Sequence, residues 1–279
     1  MGDADRGPIV HEDCQGVVRE VDDGSVGCPI AGGAQRAIEF NGDAVGRNGH
    51  IRQAEQRAFD LFLQNLVKGT SHLSLGQEAV AAGFATAMKK GDLSFCTYRG
   101  HAHTLARGVP VEKVLGELMQ RDNGLMRGKG GSMHIADFSV GMLGANGVVA
   151  AGLPIACSAA HALKLRGQPQ IVACFFGDGA INRGPFLEAL NWACVYELPV
   201  LFVCEDNRWS ATSSTGGLTG GPGIAARSAA LGVPASSVDG NDVEVVANRD
   251  REVVGVGTVG TLRHRGRLAV ELIGVAIFG

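Results

Sequence analysis

The sequence predicts an α/β fold in which a doubly wound, mainly parallel sheet is flanked by helices. Two apolar runs, residues 171–176 and 199–204, have the length and composition of buried strands. About one helix's worth of sequence separates them, which suits the crossover between two parallel strands. Strand and helix patterns alternate three times along the chain, and this alternation is typical of doubly wound sheets.

The first elements are predicted from spacing and capping signals. Apolar residues recur at helical spacing from Ile51 to Gly69, so order is expected to begin near Ile51 with a helix. Ser74 and Gln77 resemble a capping box, which predicts a second helix after them. A short strand is expected at residues 93–98, followed by a polar loop at residues 99–103.

The remaining elements are predicted from proline, glycine and alanine. Pro110 begins a helix, residues 124–133 form a Gly-rich loop, and residues 144–147 form a tight turn. An Ala-rich helix is expected over residues 148–165. Beyond the two central strands, the sequence predicts a Ser/Thr/Gly loop, a helix and a short strand at residues 210–223, 224–231 and 236–239.

Polar residues that could bind an ion follow each central strand. Asp178 comes directly after the first strand, and Asn207 follows the second. Adjacent strands lie roughly 4.8 Å apart, so the carboxylate and the amide can converge on one ion whose oxygen ligands lie at roughly 2.1 Å. These oxygen ligands suit magnesium, which usually completes its octahedron with water and phosphate oxygens.

A diphosphate is therefore expected beside the ion. Gly179 and Ala180 lead into a helix that begins near residues 182–185, where unpaired backbone N–H groups face the same crevice. A simple turn is the alternative interpretation of the Gly-Asp-Gly triplet. The second strand, with its own oxygen ligand at the same end, favours the ion site over the turn.

Composition limits the possible partners and compartments. The chain has 279 residues, 45% of them hydrophobic, which is enough for one large core. Its net charge of −3 provides no basic surface for nucleic acid, and the weakly polar stretch 147–163 is too interrupted to span a membrane. Seven cysteines without zinc spacing are expected to be buried thiols in a reducing compartment, and the amino terminus has no leader pattern, so the cytoplasm is predicted.

Three regions are expected along the chain. Residues 1–49 are rich in Gly and Asp with little periodicity, which favours a flexible or partner-wrapping arm. Residues 50–246 form the α/β domain, and residues 247–279 form a divergent tail.

Several short motifs resemble the alpha subunit of the thiamine-diphosphate-dependent dehydrogenases that start the 2-oxo acid and acetoin dehydrogenase complexes. The resemblance covers about residues 51–246, and its most specific part is Gly177-Asp178-Gly179 with Asn207 at the expected distance. The other matching blocks occur in the family's order: Ser71-His72-Leu73, Thr97-Tyr98-Arg99-Gly100-His101, Gly128-Lys129-Gly130-Gly131-Ser132-Met133-His134, Gly144-Ala145-Asn146-Gly147 and Val238-Asp239-Gly240-Asn241-Asp242.

The resemblance implies a thiamine-diphosphate-binding fold and a role for each matching residue. Asp178 and Asn207 would bind Mg²⁺ through their side chains, and Trp209 through its main-chain carbonyl, with core packing as an even alternative for Trp209. Backbone groups of Gly147 and Val149 would meet the aminopyrimidine, and the Val149 side chain would keep the cofactor bent. Arg99 would hold the diphosphate, Tyr98 would flank the cofactor and His72 would face the substrate. The roles of His101 and His103 stay ambiguous, and His134 fits a structural role as well as a functional one.

The resemblance also implies a reaction and partners. The bound cofactor would cleave a carbon–carbon bond of a 2-oxo acid or acetoin, and the acyl group would pass to the lipoyl arm of an acyltransferase. A separate beta subunit would supply the glutamate that activates the aminopyrimidine, in an α2β2 assembly. Residues 141–147 look more like the acetoin enzymes than the pyruvate enzymes. A non-catalytic subunit that keeps the fold and the partner interface is the rival hypothesis.

Two features depart from the family. The resemblance ends near Ala247, and only residues 263–266, Arg-His-Arg-Gly, are similar to the family's later histidine loop. We hypothesise that the coding sequence of this tail is truncated or frame-shifted. Translating the other two reading frames beyond the Val246 codon tests this, because one of them should then encode a tail that resembles the family. Asp206 replaces the usual asparagine, and its extra charge could recruit magnesium or repel diphosphate.

Overall fold

The computed structural model describes residues 44–248 and 271–276. The predicted arm at residues 1–49 and the predicted tail at residues 247–279 therefore lie mostly outside the described residues, as does the Arg-His-Arg-Gly sequence at 263–266. Within the described residues, no helix is long and apolar enough to cross a membrane.

A six-stranded sheet forms the centre of the fold, with all its strand pairs parallel. This arrangement confirms the predicted α/β class. The short strands β5 and β6 form a separate antiparallel pair. The strands are β1 Leu93–Thr97, β2 Met142–Asn146, β3 Val172–Gly177, β4 Val200–Asp206, β5 Trp209–Ser210, β6 Ser213–Ser214, β7 Ala235–Asp239 and β8 Glu271–Ala276, and the order in the large sheet is β2-β1-β3-β4-β8-β7.

Seven α-helices and three short 3-10 helices have complete bounds in the described residues, and residues 243–248 are also helical. α1 begins before Ile51, the position at which order is predicted to begin. The α-helices are α1 Ala44–Leu63, α2 Glu78–Ala87, α3 His101–Ala106, α4 Val111–Leu118, α5 Gly152–Leu165, α6 Gly184–Val195 and α7 Ile224–Ala230.

Three local predictions are wrong. The predicted capping box is not formed: Gln77 precedes α2 without a side-chain cap bond, and the Glu78 carboxylate accepts from the Gly76 N–H instead. Residues 101–103 are helical, because buried partners satisfy both histidines and their polarity does not mark a loop. The expected turn at residues 144–147 is largely strand β2, because parallel pairing with β1 overrides the turn preference of Gly and Asn.

The main core fills the space between the sheet and helices α5 and α6. Leu153 of α5, Phe186 of α6 and Phe202 of β4 are all fully buried there. Burying one such side chain stabilises the fold by roughly 1.5–3 kcal/mol. Because β3 and β4 lie at the centre of this packing, the positions of their carboxyl ends are rigidly determined.

Candidate functional site

The carboxyl ends of β3 and β4 lie side by side. The two strands pair in parallel, and Gly177 is opposite Glu205 in the register. Asp178 and Asn207 follow these strand ends directly, so both emerge at the same edge of the sheet, as the sequence predicts. This juxtaposition is what convergence on a single ion requires.

Asp178 is a buried carboxylate with one satisfied oxygen. Asp178 is 4% exposed, and its Oδ2 accepts a 2.6 Å hydrogen bond from the Thr215 hydroxyl. Its Oδ1 is buried and has no hydrogen-bond partner. Burial raises the pKa of Asp178 to about 6, the Thr215 bond opposes this shift, and the neighbouring Asp206 carboxyl adds to it. A cation at Oδ1 would relieve both the desolvation and the repulsion.

Asn207 lies in a tight turn that continues into the β5 strand. Its side-chain Oδ1 accepts a 3.0 Å hydrogen bond from the Trp209 N–H, and Asp206 Oδ1 accepts from the Arg208 N–H at 3.2 Å. Arg208 has a φ of 62°, in the left-handed region. Trp209 is 58% exposed, so the core-packing alternative for this residue is wrong.

A cleft opens beside the carboxyl ends of β1 and β3, between the start of α5 and the β5 strand. Five predicted site residues line it: Tyr98, Val149, Gly179, Ala180 and Trp209. Its walls are partly apolar, with Leu153, Phe175 and Phe176 among the other lining residues. Asp178, Asn207 and Gly147 are not among the lining residues, although the chain neighbours of Asp178 and Gly147 are.

Gly179 is packed closely against the β5 strand. A Cβ atom at this position would lie 2.5 Å from Ser210 Oγ and 2.8 Å from Ser210 Cβ. These distances are too short for a side chain, so only glycine fits the present packing. Ser210 and Thr215 carried no motif signal in the sequence, because both lie in a Ser/Thr/Gly stretch whose members look alike.

Tyr98, Arg99 and His72 form a second group beside the cleft. The rings of His72 and Tyr98 are 4.2 Å apart between centroids, and the Arg99 guanidinium donates a hydrogen bond to the Leu73 carbonyl. Burial lowers the pKa of His72, and the charges of Arg99 and His101 lower it further. His72 and Arg99 are not among the residues that line the cleft, whereas Tyr98 is.

The two ambiguous histidines are both buried. His101 Nε2 lies 2.9 Å from Ser132 Oγ, and its Nδ1 lies 3.3 Å from Glu55 Oε2. His103 Nε2 lies 3.0 Å from Glu205 Oε1. These contacts give both histidines structural partners in the interior. His134 is exposed, and its ring would lie 3.4 Å from a Cβ at Gly147.

In the described part of the chain, no group of three or more His, Cys, Asp or Glu residues could hold a metal ion. The predicted metal ligands would not form such a group, because they combine the Asp178 carboxylate with the Asn207 amide and the main-chain carbonyl of Trp209. Its support is the buried Asp178 Oδ1 that has no partner. Hard oxygen donors of this type suit Mg²⁺, which keeps few protein ligands.

Comparison with known proteins identifies the family of this chain. The sequence profile of the family described as "Dehydrogenase E1 component" matches residues 47–255. The chain belongs to the dehydrogenase E1 component family. The E1 match continues past Ala247, near which the quoted motifs end, and it includes every residue assigned to the site above.

Curated E1 relatives include alpha subunits of two kinds. The acetoin:2,6-dichlorophenolindophenol oxidoreductase alpha subunits of Bacillus subtilis and Cupriavidus necator are 41% and 42% identical, each over 204 residues. The pyruvate dehydrogenase E1 alpha subunit of Rhizobium meliloti is 37% identical. These alignments cover 73% of this chain but 61%, 61% and 59% of the relatives. The chain thus matches about three-fifths of the length of these relatives.

Proposed function

We propose that this chain is the alpha subunit of a thiamine-diphosphate-dependent dehydrogenase component. It would act on acetoin or a 2-oxo acid, cleave a carbon–carbon bond and pass an acyl group to a lipoyl carrier. One observation carries the proposal. Within an E1-family chain, the buried Asp178 has an oxygen without a partner at the same sheet edge as Asn207.

The metal and the diphosphate would be held at the ends of β3 and β4. Asp178 and Asn207 would bind Mg²⁺ through side-chain oxygens, and Trp209 through its carbonyl. The backbone of Gly179 and Ala180 lines the cleft beside them and can approach phosphate oxygens closely. The Arg99 guanidinium, which contacts the Leu73 carbonyl, would bind the diphosphate, because its planar donors match phosphate oxygens.

The aminopyrimidine would lie at the other end of the cleft. The backbone groups of Gly147 and Val149 would meet this ring, and the Val149 side chain, which lines the cleft, would keep the cofactor bent. Tyr98 would flank the cofactor. When bound, the thiazolium ring supplies a nucleophilic carbon and accepts the electrons released by bond cleavage.

The protein's own contribution is binding, orientation and exclusion of water. The apolar walls at Leu153, Phe175 and Phe176 would limit water around the reacting carbon. His72 would face the substrate. Because its pKa is lowered, its imidazole is neutral at pH 7 and can accept a proton at one ring nitrogen.

The partners follow from the same assignment. A beta subunit would supply the glutamate that activates the aminopyrimidine, in an α2β2 assembly, and a lipoyl acyltransferase would receive the acyl group. We place the assembly in the cytoplasm. The three regions, an arm at residues 1–49, the domain at 50–246 and a divergent tail at 247–279, remain part of this proposal, and so does the frame-shift hypothesis for the tail.

Calorimetric titration tests the function. The chain is co-expressed with a family beta subunit, and the purified pair is titrated with thiamine diphosphate and Mg²⁺. We expect binding by the wild-type pair. Groups that merely orient metal ligands contribute roughly 10–100-fold to metal affinity, so Asp178→Asn is expected to weaken binding by at least that factor. Asp122→Asn, at an exposed aspartate after α4, is the matched control, because it removes a carboxylate that is not buried at the end of β3.

The rival hypothesis predicts a different result. A non-catalytic subunit would assemble with the beta subunit and give no binding heat, which would overturn the proposed function. If the wild-type pair binds and Asp178→Asn binds equally well, the metal assignment is wrong while cofactor binding stands.

We propose acetoin as the preferred substrate. Residues 141–147 look more like the acetoin enzymes. The two relatives named for acetoin are 41% and 42% identical, and the pyruvate dehydrogenase alpha subunits of Rhizobium meliloti and Zymomonas mobilis are 37% and 40% identical. The test is reduction of 2,6-dichlorophenolindophenol by the assembled pair with acetoin or pyruvate as substrate. A higher kcat/KM for pyruvate would reverse the assignment.

A further inference from the structure

Glu117 of α4 is a buried carboxylate that binds four backbone N–H groups. Its Oε2 accepts from Met126 at 2.7 Å and Gly128 at 2.9 Å. Its Oε1 accepts from Gly130 at 2.7 Å and Gly131 at 3.0 Å. The residue is 0% exposed. One side chain thus holds most of the Gly-rich loop, residues 124–133.

Within the described residues, no Lys, Arg or His forms an ion pair with Glu117. The carboxylate is balanced by backbone dipoles alone. Four backbone N–H groups from one loop converge on this one side chain. The loop conformation therefore depends on the Glu117 carboxyl group.

The glycines of the loop make this wrapping possible. A Cβ at Gly124 would lie 2.6 Å from Glu117 Oε2, and a Cβ at Gly128 would lie 2.4 Å from the Gln120 carbonyl carbon. Gly128 also has a φ of +71°, a conformation that other residues rarely adopt. At Gly124 and Gly128 the loop is therefore packed against the end of α4 too closely for a side chain.

The held loop leads directly to the cleft. Next along the chain, Ser132 is bound by the buried ring of His101 at 2.9 Å. Met133 then packs on the backbone at Gly147, where a Cβ would lie 2.9 Å from Met133 Cε. Gly147 is adjacent to Asn146 and Val148, which line the cleft. Glu117 is thereby connected to the part of the cleft wall that Asn146 and Val148 form.

We infer that Glu117 is a positioning residue for the aminopyrimidine end of the cofactor site. It holds the loop, the loop holds Met133 against Gly147, and Gly147 presents its backbone to the ring. This inference rests on the proposed function. It predicts a selective effect, because the diphosphate end is built from other elements, the tips of β3 and β4.

The test compares two ligands of the same site. Thiamine diphosphate and inorganic pyrophosphate, each with Mg²⁺, are titrated into the assembled pair carrying Glu117→Gln. Positioning groups contribute roughly tenfold or more to affinity. We therefore expect the Kd of thiamine diphosphate to rise about tenfold, and the Kd of pyrophosphate to stay within about twofold of the wild-type value. Glu112→Gln, at an exposed glutamate of the same helix, is the matched control and should change neither Kd.

A second variant tests the inference without disturbing Glu117, whose replacement could affect folding of the loop. Met133→Ala leaves Glu117 and its four bonds in place but removes the contact with Gly147, so it should produce the same selective loss. The inference is overturned if both variants bind thiamine diphosphate as the wild type does, or if both ligands weaken equally. A wild-type pair that binds no thiamine diphosphate overturns the proposed function and this inference with it.

Discussion

The Thr215 hydroxyl donates a 2.6 Å hydrogen bond to Asp178 Oδ2, and the second oxygen of this buried carboxylate, Oδ1, has no partner. The bond joins the end of β3 to the loop that follows the β5–β6 pair. It fixes the orientation of the carboxylate and leaves Oδ1 as the oxygen without a hydrogen bond. Carboxylates that bind metals are commonly oriented in this way by a hydrogen bond to the other oxygen.

Removing the Thr215 hydroxyl should weaken metal-dependent cofactor binding. Thr215→Val keeps the shape of the side chain but frees Asp178 to rotate, so the Kd of thiamine diphosphate with Mg²⁺ should rise roughly 10–100-fold. Titration calorimetry on the assembled pair measures this. Thr212→Val, at an exposed position in the turn between β5 and β6, should leave the Kd unchanged, and equal effects of the two variants would contradict the role of Thr215.

His103 and Glu205 form a buried pair that joins α3 to β4. Removing one partner leaves a buried polar group without its hydrogen bond, so His103→Leu or Glu205→Leu alone should lower the free energy of unfolding by about 1–3 kcal/mol. Replacing both with leucine should cost much less, because no buried polar group then remains unpaired. Urea unfolding of the single and double variants checks the coupling. Additive losses in the double variant would show that the two side chains do not depend on each other.

Gly179 should not tolerate alanine, whereas Gly177 should. A Cβ at Gly179 would lie 2.5 Å from Ser210 Oγ, but a Cβ at Gly177 has no atom within 4 Å. Overpacking of this kind costs roughly 1–3 kcal/mol, so Gly179→Ala should lower the unfolding temperature and Gly177→Ala should not. Thermal unfolding of the cofactor-free protein tests this. The double variant Gly179→Ala, Ser210→Gly should recover stability, and its failure to do so would exclude the clash as the cause.

His72 should titrate below its ordinary pKa of 6.5. Burial is the main cause, and the charges of Arg99 and His101 add to it. Protonation of His72 is less favourable in the folded state than in the unfolded state. The stability that neutral His72 contributes is therefore fully present above pH 6.5 and is lost as the pH falls through the folded pKa. NMR titration of labelled histidine, assigned with His72→Gln, measures the shift. Arg99→Met should raise the His72 pKa toward 6.5, and an unchanged value would refute the electrostatic contribution of Arg99.

Much of the fold could be predicted because its signals are local. The runs at residues 171–176 and 199–204 are apolar throughout, since strands buried on both faces need no polar positions. Their crossover length implied parallel pairing, and parallel pairing placed Asp178 and Asn207 at one edge. The same logic failed for β2, where Gly144 and Asn146 favour a turn locally and only pairing with β1 makes a strand.

The interior contacts of polar side chains were not predictable in this way. Glu117 looks like any helical glutamate, and the burial of its carboxylate against a loop becomes evident only when the loop is folded over it. The same holds for His103, whose partner Glu205 lies 102 residues away in the sequence. A polar residue has no pattern that distinguishes a solvent contact from a buried one, because its partner comes from a distant element.

The sequence by itself determined the α/β class, the family and the position of the acidic and amide oxygens at neighbouring strand ends, because periodicity and motif spacing are properties of short segments. Only the tertiary structure decided which oxygen of Asp178 lacks a partner, that Trp209 lies in the cleft, and that Glu117 organises the glycine loop. Those features arise from packing between elements far apart in the chain, and the burial that packing produces decides whether each polar group keeps its water or needs a partner.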